Sequence, residues 1–250
     1  MLDLIGLGII AGVIPVYLGI GAALLARRAL SRSWESGLIG IATGVLVYLF
    51  FDLMHEAVEL TGARDPLSWV IFLGSLFMSF VGLVVLDDRQ LGKDRRATRT
   101  LSLPYVIALG MGLHNLGEGL AIGASYANGE WVLSGLLVGG FALHNGTEGF
   151  GIVGGAGQNP ISARDVLLLG LLGGAPTCFG TVLSGLALSP YFTIIWYALA
   201  AGSLLYVVFA LVAMTYTSTR KVHMAYGVLG GIALMFVTAM ILTLVGGIRT

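Results

Sequence analysis

Eight long apolar runs, joined by short connections, leave this 250-residue chain little choice of fold. A helix needs roughly 20 mostly apolar residues to cross a bilayer. By that measure spans are expected at about 4–26, 36–60, 67–86, 101–127, 131–156, 164–188, 191–214 and 223–246. The longest polar stretch runs only from Asp87 to Thr100, too short for a soluble domain and best read as a solvated cytoplasmic loop. The expected fold class is therefore an all-α integral membrane protein, with eight transmembrane helices in one domain over 1–250.

Composition agrees. Only 10% of residues are charged, against about 25% in soluble domains. Thirteen basic and thirteen acidic residues give no case for nucleic acid as a partner, and the bilayer is the expected one. The single cysteine, Cys178, excludes an internal disulfide framework and a cysteine-based zinc module. Met1-Leu2-Asp3 lacks a basic leader and is followed by too long an apolar run for a signal peptide, so a retained first span is expected. The 38 glycines suit close helix packing in a membrane, with Gly8–Gly12 and Gly135–Gly139 as expected packing stripes.

Orientation follows from the basic residues. Arg27, Arg28, Arg32, Arg89, Lys93, Arg95, Arg96, Arg99, Arg164, Arg220 and Lys221 fall on one side, and only Arg64 and Arg249 on the other. The first side is expected to face the cytoplasm, with both termini outward, in a cell (inner or plasma) membrane. Trp69, Trp131 and Tyr191 would then begin spans at the outer interface, where amphipathic rings anchor well.

The chemistry lies in a repeated signature, His-Asn-x-x-Glu-Gly. It occurs as His114-Asn115-Leu116-Gly117-Glu118-Gly119 and as His144-Asn145-Gly146-Thr147-Glu148-Gly149. His and Glu four apart share a helix face. The turn near 127–131 lies thirteen residues from each histidine, which puts both at one depth, about 20 Å in at 1.5 Å per residue. Gly119 and Gly149 would let neighbouring backbones approach. An ionised carboxylate at the centre of a span costs about 2.5–3.5 kcal/mol even on the gentler insertion scale, and neither segment holds a Lys or Arg. A divalent cation among two imidazoles and two carboxylates removes that charge. Such donors suit Zn2+ or Fe2+, with Mn2+, Co2+, Ni2+ and Cd2+ as further candidates, and the lack of clustered thiols argues against cuprous copper. The competing reading is a polar clasp, in which protonated glutamates hydrogen-bond the histidines.

The second span adds Asp52, His55, Glu56 and Glu59 along one flank, read as a cation-collecting vestibule with Asp52 deepest. For Glu56 and Glu59 a simple headgroup location stays open. In the sixth span, Gly173-Gly174-Ala175-Pro176-Thr177-Cys178 carries a proline that frees a carbonyl and kinks the helix, as at transporter cavities. Thr177 and Cys178 are candidates to line the path, with Cys178 either a metal ligand or simply a small hydrophobe. His223 is read as interfacial. No phosphate-cradling Gly-Lys-Ser or Gly-Lys-Thr loop occurs, so neither a nucleotide motor nor an organic cofactor is expected.

On these residues the chain resembles the ZIP (Zrt/Irt-like) family of divalent metal transporters, in its prokaryotic form. His114-Asn115-x-x-Glu118-Gly119-Leu120-Ala121 closely matches that family's fourth-span motif. The resemblance implies metal ligation by His114, Asn115 and Glu118, with His144 and Glu148 as the fifth-span pair. It also implies metal movement into the cytoplasm, a 3+2+3 helix arrangement with inverted repeats, and the homodimer common among members. The chain departs from the pattern where Asn145 and Thr147 replace an acid and a proline, and where Thr177 stands in place of a glutamate. A single metal held by His114, Glu118, His144 and Glu148, assisted by Asn115 and Asn145, is the expected site. The expectation is thus a non-enzymatic metal importer. An intramembrane zinc-dependent hydrolase, using zinc-bound water, and a non-transporting relative are the alternatives.

Overall fold

The computed structural model describes residues 1–62, 65–93, 102–184, 190–216 and 220–246. Arg64, Arg249 and the segment carrying Arg95, Arg96 and Arg99 lie outside them. All regular structure among the described residues is helical, the form in which a chain in hydrocarbon satisfies its backbone internally. The rods are α1 (Leu2–Ala29), α2 (Arg32–Leu60), α3 (Pro66–Lys93), α4 (Ser102–Ala127), α5 (Trp131–Gly155), α6 (Ala163–Leu183), α7 (Pro190–Thr215) and α8 (Lys221–Gly246).

Seven of these are long and apolar enough to cross a membrane, which makes the protein an integral membrane protein of helical type. The exception is α5. It has 25 residues, but His144, Asn145, Thr147, Glu148 and its many glycines dilute the apolar content in mid-helix. Helix α3 runs beyond the expected end near residue 86 to Lys93, because no helix breaker interrupts Asp87-Asp88-Arg89-Gln90-Leu91. The start of α6 is set locally. Ser162 accepts from the Asp165 backbone N–H and the Asp165 carboxylate accepts from the Ser162 backbone N–H, a reciprocal capping box. Gly129, at φ 79°, makes the tight α4–α5 turn.

Helices α4 and α5 form the centre. The apolar window of α4 is 72% buried against 11% for α8, which decides which helix is central and which peripheral. The principal pairings are α4 with α6, α5 with α1, α2 with α8, α3 with α7, and α2 with α7. Glycines set the closest of them. At Gly119 a Cβ would fall on Thr177 and Gly180 of α6, and at Gly149 on Gly19 and Ile20 of α1. Gly8 and Gly12 likewise pack on Thr177 and Cys178. Gly135 and Gly139 do not pack this way. A Cβ at either meets nothing within 4 Å, because the stripe shares the outward face of α5 with exposed Trp131 and Leu143. Four-residue spacing defines a face of a helix without saying which way it points.

Candidate metal site

The site starts from two interrupted helices. In α1 the turn Ile9–Val13 is π-helical, with the Ile14 N–H reaching back to Ile9 O. Pro15, one residue on, has no N–H to give to Ala11, four residues earlier. The freed Ala11 carbonyl accepts a hydrogen bond from Asn145 Nδ2 at 2.9 Å. In α6, Pro176 likewise has no N–H to give to Leu172, and the next carbonyl along, Gly173 O, accepts from Asn115 Nδ2 at 3.0 Å. Each asparagine of the repeated signature thus reaches a backbone oxygen beside a proline in the helix its own segment packs against.

The second N–H of each amide goes to a carboxylate of the opposite signature. Asn145 Nδ2 donates to Glu118 Oε2 at 2.9 Å and Asn115 Nδ2 to Glu148 Oε2 at 2.8 Å. Orientation of both glutamates is thereby locked from outside the cluster. The free edge of Glu118 faces the histidines, with Oε1 2.9 Å from His114 Nε2 and in direct contact with His144 Nε2. One donor atom from each of His114, Glu118 and His144 lies within 4.8 Å of the others, a grouping able to hold a metal ion. All three are at most 5% exposed, so water contributes almost nothing to their solvation. The two imidazoles lie 6.0 Å apart at similar depth, and Phe141 packs its edge on His144 at 5.6 Å.

Glu148 belongs to the same buried layer but not to that trio. Its Oε1 lacks a hydrogen-bond partner, as do Asn115 Oδ1, Asn145 Oδ1 and Thr177 Oγ1. The first three are acceptor oxygens and the Thr177 hydroxyl can donate or accept, a donor set that a cation could use. Thr177 is fully buried in this layer. The Cys178 thiol instead faces Ile5 O of α1, 3.9 Å away, and stands outside the His114–Glu118–His144 grouping.

A cavity of about 250 Å³ joins the cluster to α2, lined among others by Asp52, Glu56, His114, Glu118, Phe141 and Tyr197. Of the four flank residues of α2, Asp52 and Glu56 line it. His55 turns away to pair with Glu59 at 3.4 Å, both side chains about two-thirds exposed. At about 100° per residue, His55 and Glu56 diverge by too much to share one cavity.

Sequence reasoning missed Pro15 and the freed carbonyl of Ala11. The signal was present, since Pro15 interrupts the first apolar run as Pro176 does the sixth.

Fold and site together define a helical membrane protein with a buried imidazole–carboxylate cluster of the kind divalent cations bind. No family model matches the chain. Over 160 residues, 63% of its length, the chain is 27% identical to an Arabidopsis thaliana protein described as a "putative zinc transporter". It spans about a quarter of that protein's length, 26%.

Proposed function

We propose that the protein is a ZIP-type divalent metal transporter that carries zinc, or ferrous iron, toward the cytoplasm. The observation that carries this reading is the dry trio His114, Glu118 and His144, connected by a cavity to Asp52 and Glu56. Outer carboxylates concentrate the cation, the trio replaces its water shell, and Glu148 completes the charge balance. Asp52, Glu56 and Glu148 serve as accessory ligands, Asn115 and Asn145 as clamps. The similarity to a plant protein described as a zinc transporter supports the same cargo.

A 3+2+3 arrangement, with α5 as an eighth crossing and the basic side inward, accounts for the pairings. Exchanging α1 with α6, α2 with α7, α3 with α8 and α4 with α5 converts α4–α6 into α5–α1 and α2–α8 into α7–α3, all four observed. The two backbone oxygens near a proline, Ala11 O and Gly173 O, and their asparagines obey the same exchange. That is the pattern inverted repeats produce around a site near the bilayer midplane.

Asparagine at position 145 favours one metal over two. Its amide supplies the positive hydrogens that a second cation would otherwise provide, to Glu118 Oε2 on one side and Ala11 O on the other. Asn145→Asp puts a carboxylate against both oxygens. Without metal it is expected to cost about 3–5 kcal/mol, as for an uncompensated buried charge. Zinc should then raise the melting temperature more than in the parent and bind in about two equivalents by elemental analysis. One equivalent and an unchanged metal-free melting temperature would count against this account.

Transport is tested in proteoliposomes. The parent chain should accumulate zinc, with iron, manganese and cadmium as competitors, and Glu118→Ala with His144→Ala should not. Uptake should fall as the outside is acidified, because protons compete for both imidazole and carboxylate. Each proton displaced changes apparent affinity by up to about tenfold per pH unit. Undiminished zinc and iron uptake in the double variant would remove the proposal.

A further inference from the structure

A second cavity, of about 410 Å³, lies on the outer surface of the bundle at the opposite end from the Asp52–Glu56 cavity. It runs along the first turns of α2 and α8, between Trp34, Leu38 and Ile41 on one side and His223 and Tyr226 on the other. Its origin is a glycine seam. A Cβ at Gly44 would fall on the Val228 backbone, and one at Gly227 on Gly37 O, so the two helices meet backbone to backbone. Beside the seam, Gly37 and Gly230 leave an empty floor. A Cβ there meets nothing nearer than His223 O at 3.7 Å and Ile41 Cγ1 at 4.0 Å respectively. Trp34 and Tyr226 form the rims, 65% and 73% exposed, and the Trp34 ring meets His223 edge-on at 6.3 Å.

The mouth of this apolar trough is cationic. Arg32 opens α2 and Lys221 opens α8, both exposed. The first turn of α8 contains no acid, and its unsatisfied N–H groups add positive potential. Glu35, the acid in the first turn of α2, lines an adjoining recess with Ala23, Ala26 and Phe150, which shares Leu38 with the groove. An apolar trough in the hydrocarbon with positive charge at the headgroup level matches a molecule that has an acyl chain and a phosphate.

We propose that this groove binds one anionic phospholipid. Its phosphate rests at Arg32 and Lys221, and one acyl chain lies on the Gly37–Gly230 floor between Trp34 and Tyr226. A zwitterionic lipid brings a choline cation to the same mouth and is disfavoured. The metal site takes no part, so the test is run without metal.

The full chain in detergent is titrated with phosphatidylglycerol or phosphatidylcholine, and retained lipid is counted by native mass spectrometry. The parent should hold one phosphatidylglycerol at least tenfold more tightly than phosphatidylcholine. Arg32→Gln with Lys221→Gln should weaken phosphatidylglycerol by about fivefold for each cation removed. Gly230→Leu, whose Cβ meets only the Ile41 side chain at 4.0 Å, should reduce retention of both lipids. Unfolding in lipid-free detergent confirms that each variant is folded. Equal retention of the two lipids by the parent, or undiminished phosphatidylglycerol on folded Gly230→Leu, overturns the proposal. So does self-cross-linking of Tyr226→Cys in a Cys178→Ser background in vesicles, which would show a second copy covering the groove.

Discussion

Glu118→Gln is expected to lower zinc affinity by at least about 100-fold and to abolish zinc accumulation, while leaving the metal-free protein folded. Loss of a residue that only supports a metal ligand typically costs about 10–100-fold. Glu118 is closer to the centre than that. Its Oε1 touches the Nε2 atoms of both histidines, so any ion between the imidazoles must meet this oxygen. A glutamine keeps the volume and can still accept from Asn145, but it carries no charge to offset the cation. In the metal-free chain the carboxylate is already paired with Asn145 and both histidines, so the same change is expected to cost about 1–3 kcal/mol there. Thermal unfolding separates the two effects. At a zinc concentration 100 times its dissociation constant, the parent should gain about 2.7 kcal/mol from binding. The variant should gain little at the same concentration, whatever its melting temperature without zinc. Glu148→Gln is expected to be milder, since Glu148 stands outside the trio and its Oε2 is already held by Asn115. A Glu118→Gln chain that binds zinc within threefold of the parent would show that the ion sits elsewhere.

Much of this arrangement is legible in the sequence because it rests on local rules. Apolar runs long enough to cross a bilayer become helices, and His and Glu four apart share a face whatever surrounds them. The equal arms from the 127–131 turn to His114 and His144 need only a constant rise per residue, and the rings do lie 6.0 Å apart. What a single helix cannot reveal is its azimuth in the bundle. Asp52 and Glu56 face the cavity while His55 and Glu59 turn outward, although all four fit one broad flank. Gly135 and Gly139 make as good a packing stripe as Gly8 and Gly12, yet only the latter meets a neighbour. The role of Asn115 and Asn145 as clamps also lay out of reach, because each depends on a backbone carbonyl in a helix distant in sequence.

Gly149→Val is expected to do more damage to the fold than any substitution of a metal-binding side chain. Gly149 lies where α5 crosses α1, and a Cβ there would coincide with the backbone of Gly19 and Ile20. No rotamer change can relieve a clash with backbone, so the two helices must separate. Overpacking a close-packed interior costs about 1–3 kcal/mol when side chains can adjust. Here they cannot, and the penalty should exceed that range. Separation also pulls Asn145, four residues before Gly149, away from Ala11 O, which loosens its hold on Glu118. One methyl group is thus expected to reach both stability and metal binding, and Gly149→Ala should already show part of each loss. Gly119→Ala should behave alike at the α4–α6 crossing, where the obstacle is the Thr177 carbonyl and Gly180. Gly117→Ala, Gly135→Ala and Gly139→Ala provide the contrast, because a Cβ at those positions meets nothing within 4 Å. They should fold normally and gain up to about 1 kcal/mol from the better helix propensity of alanine. Melting temperatures and folded yield across the five alanine variants therefore test the crossing geometry directly. Equal tolerance at all five positions would mean that α1 and α6 do not pass as close to the His/Glu layer as described.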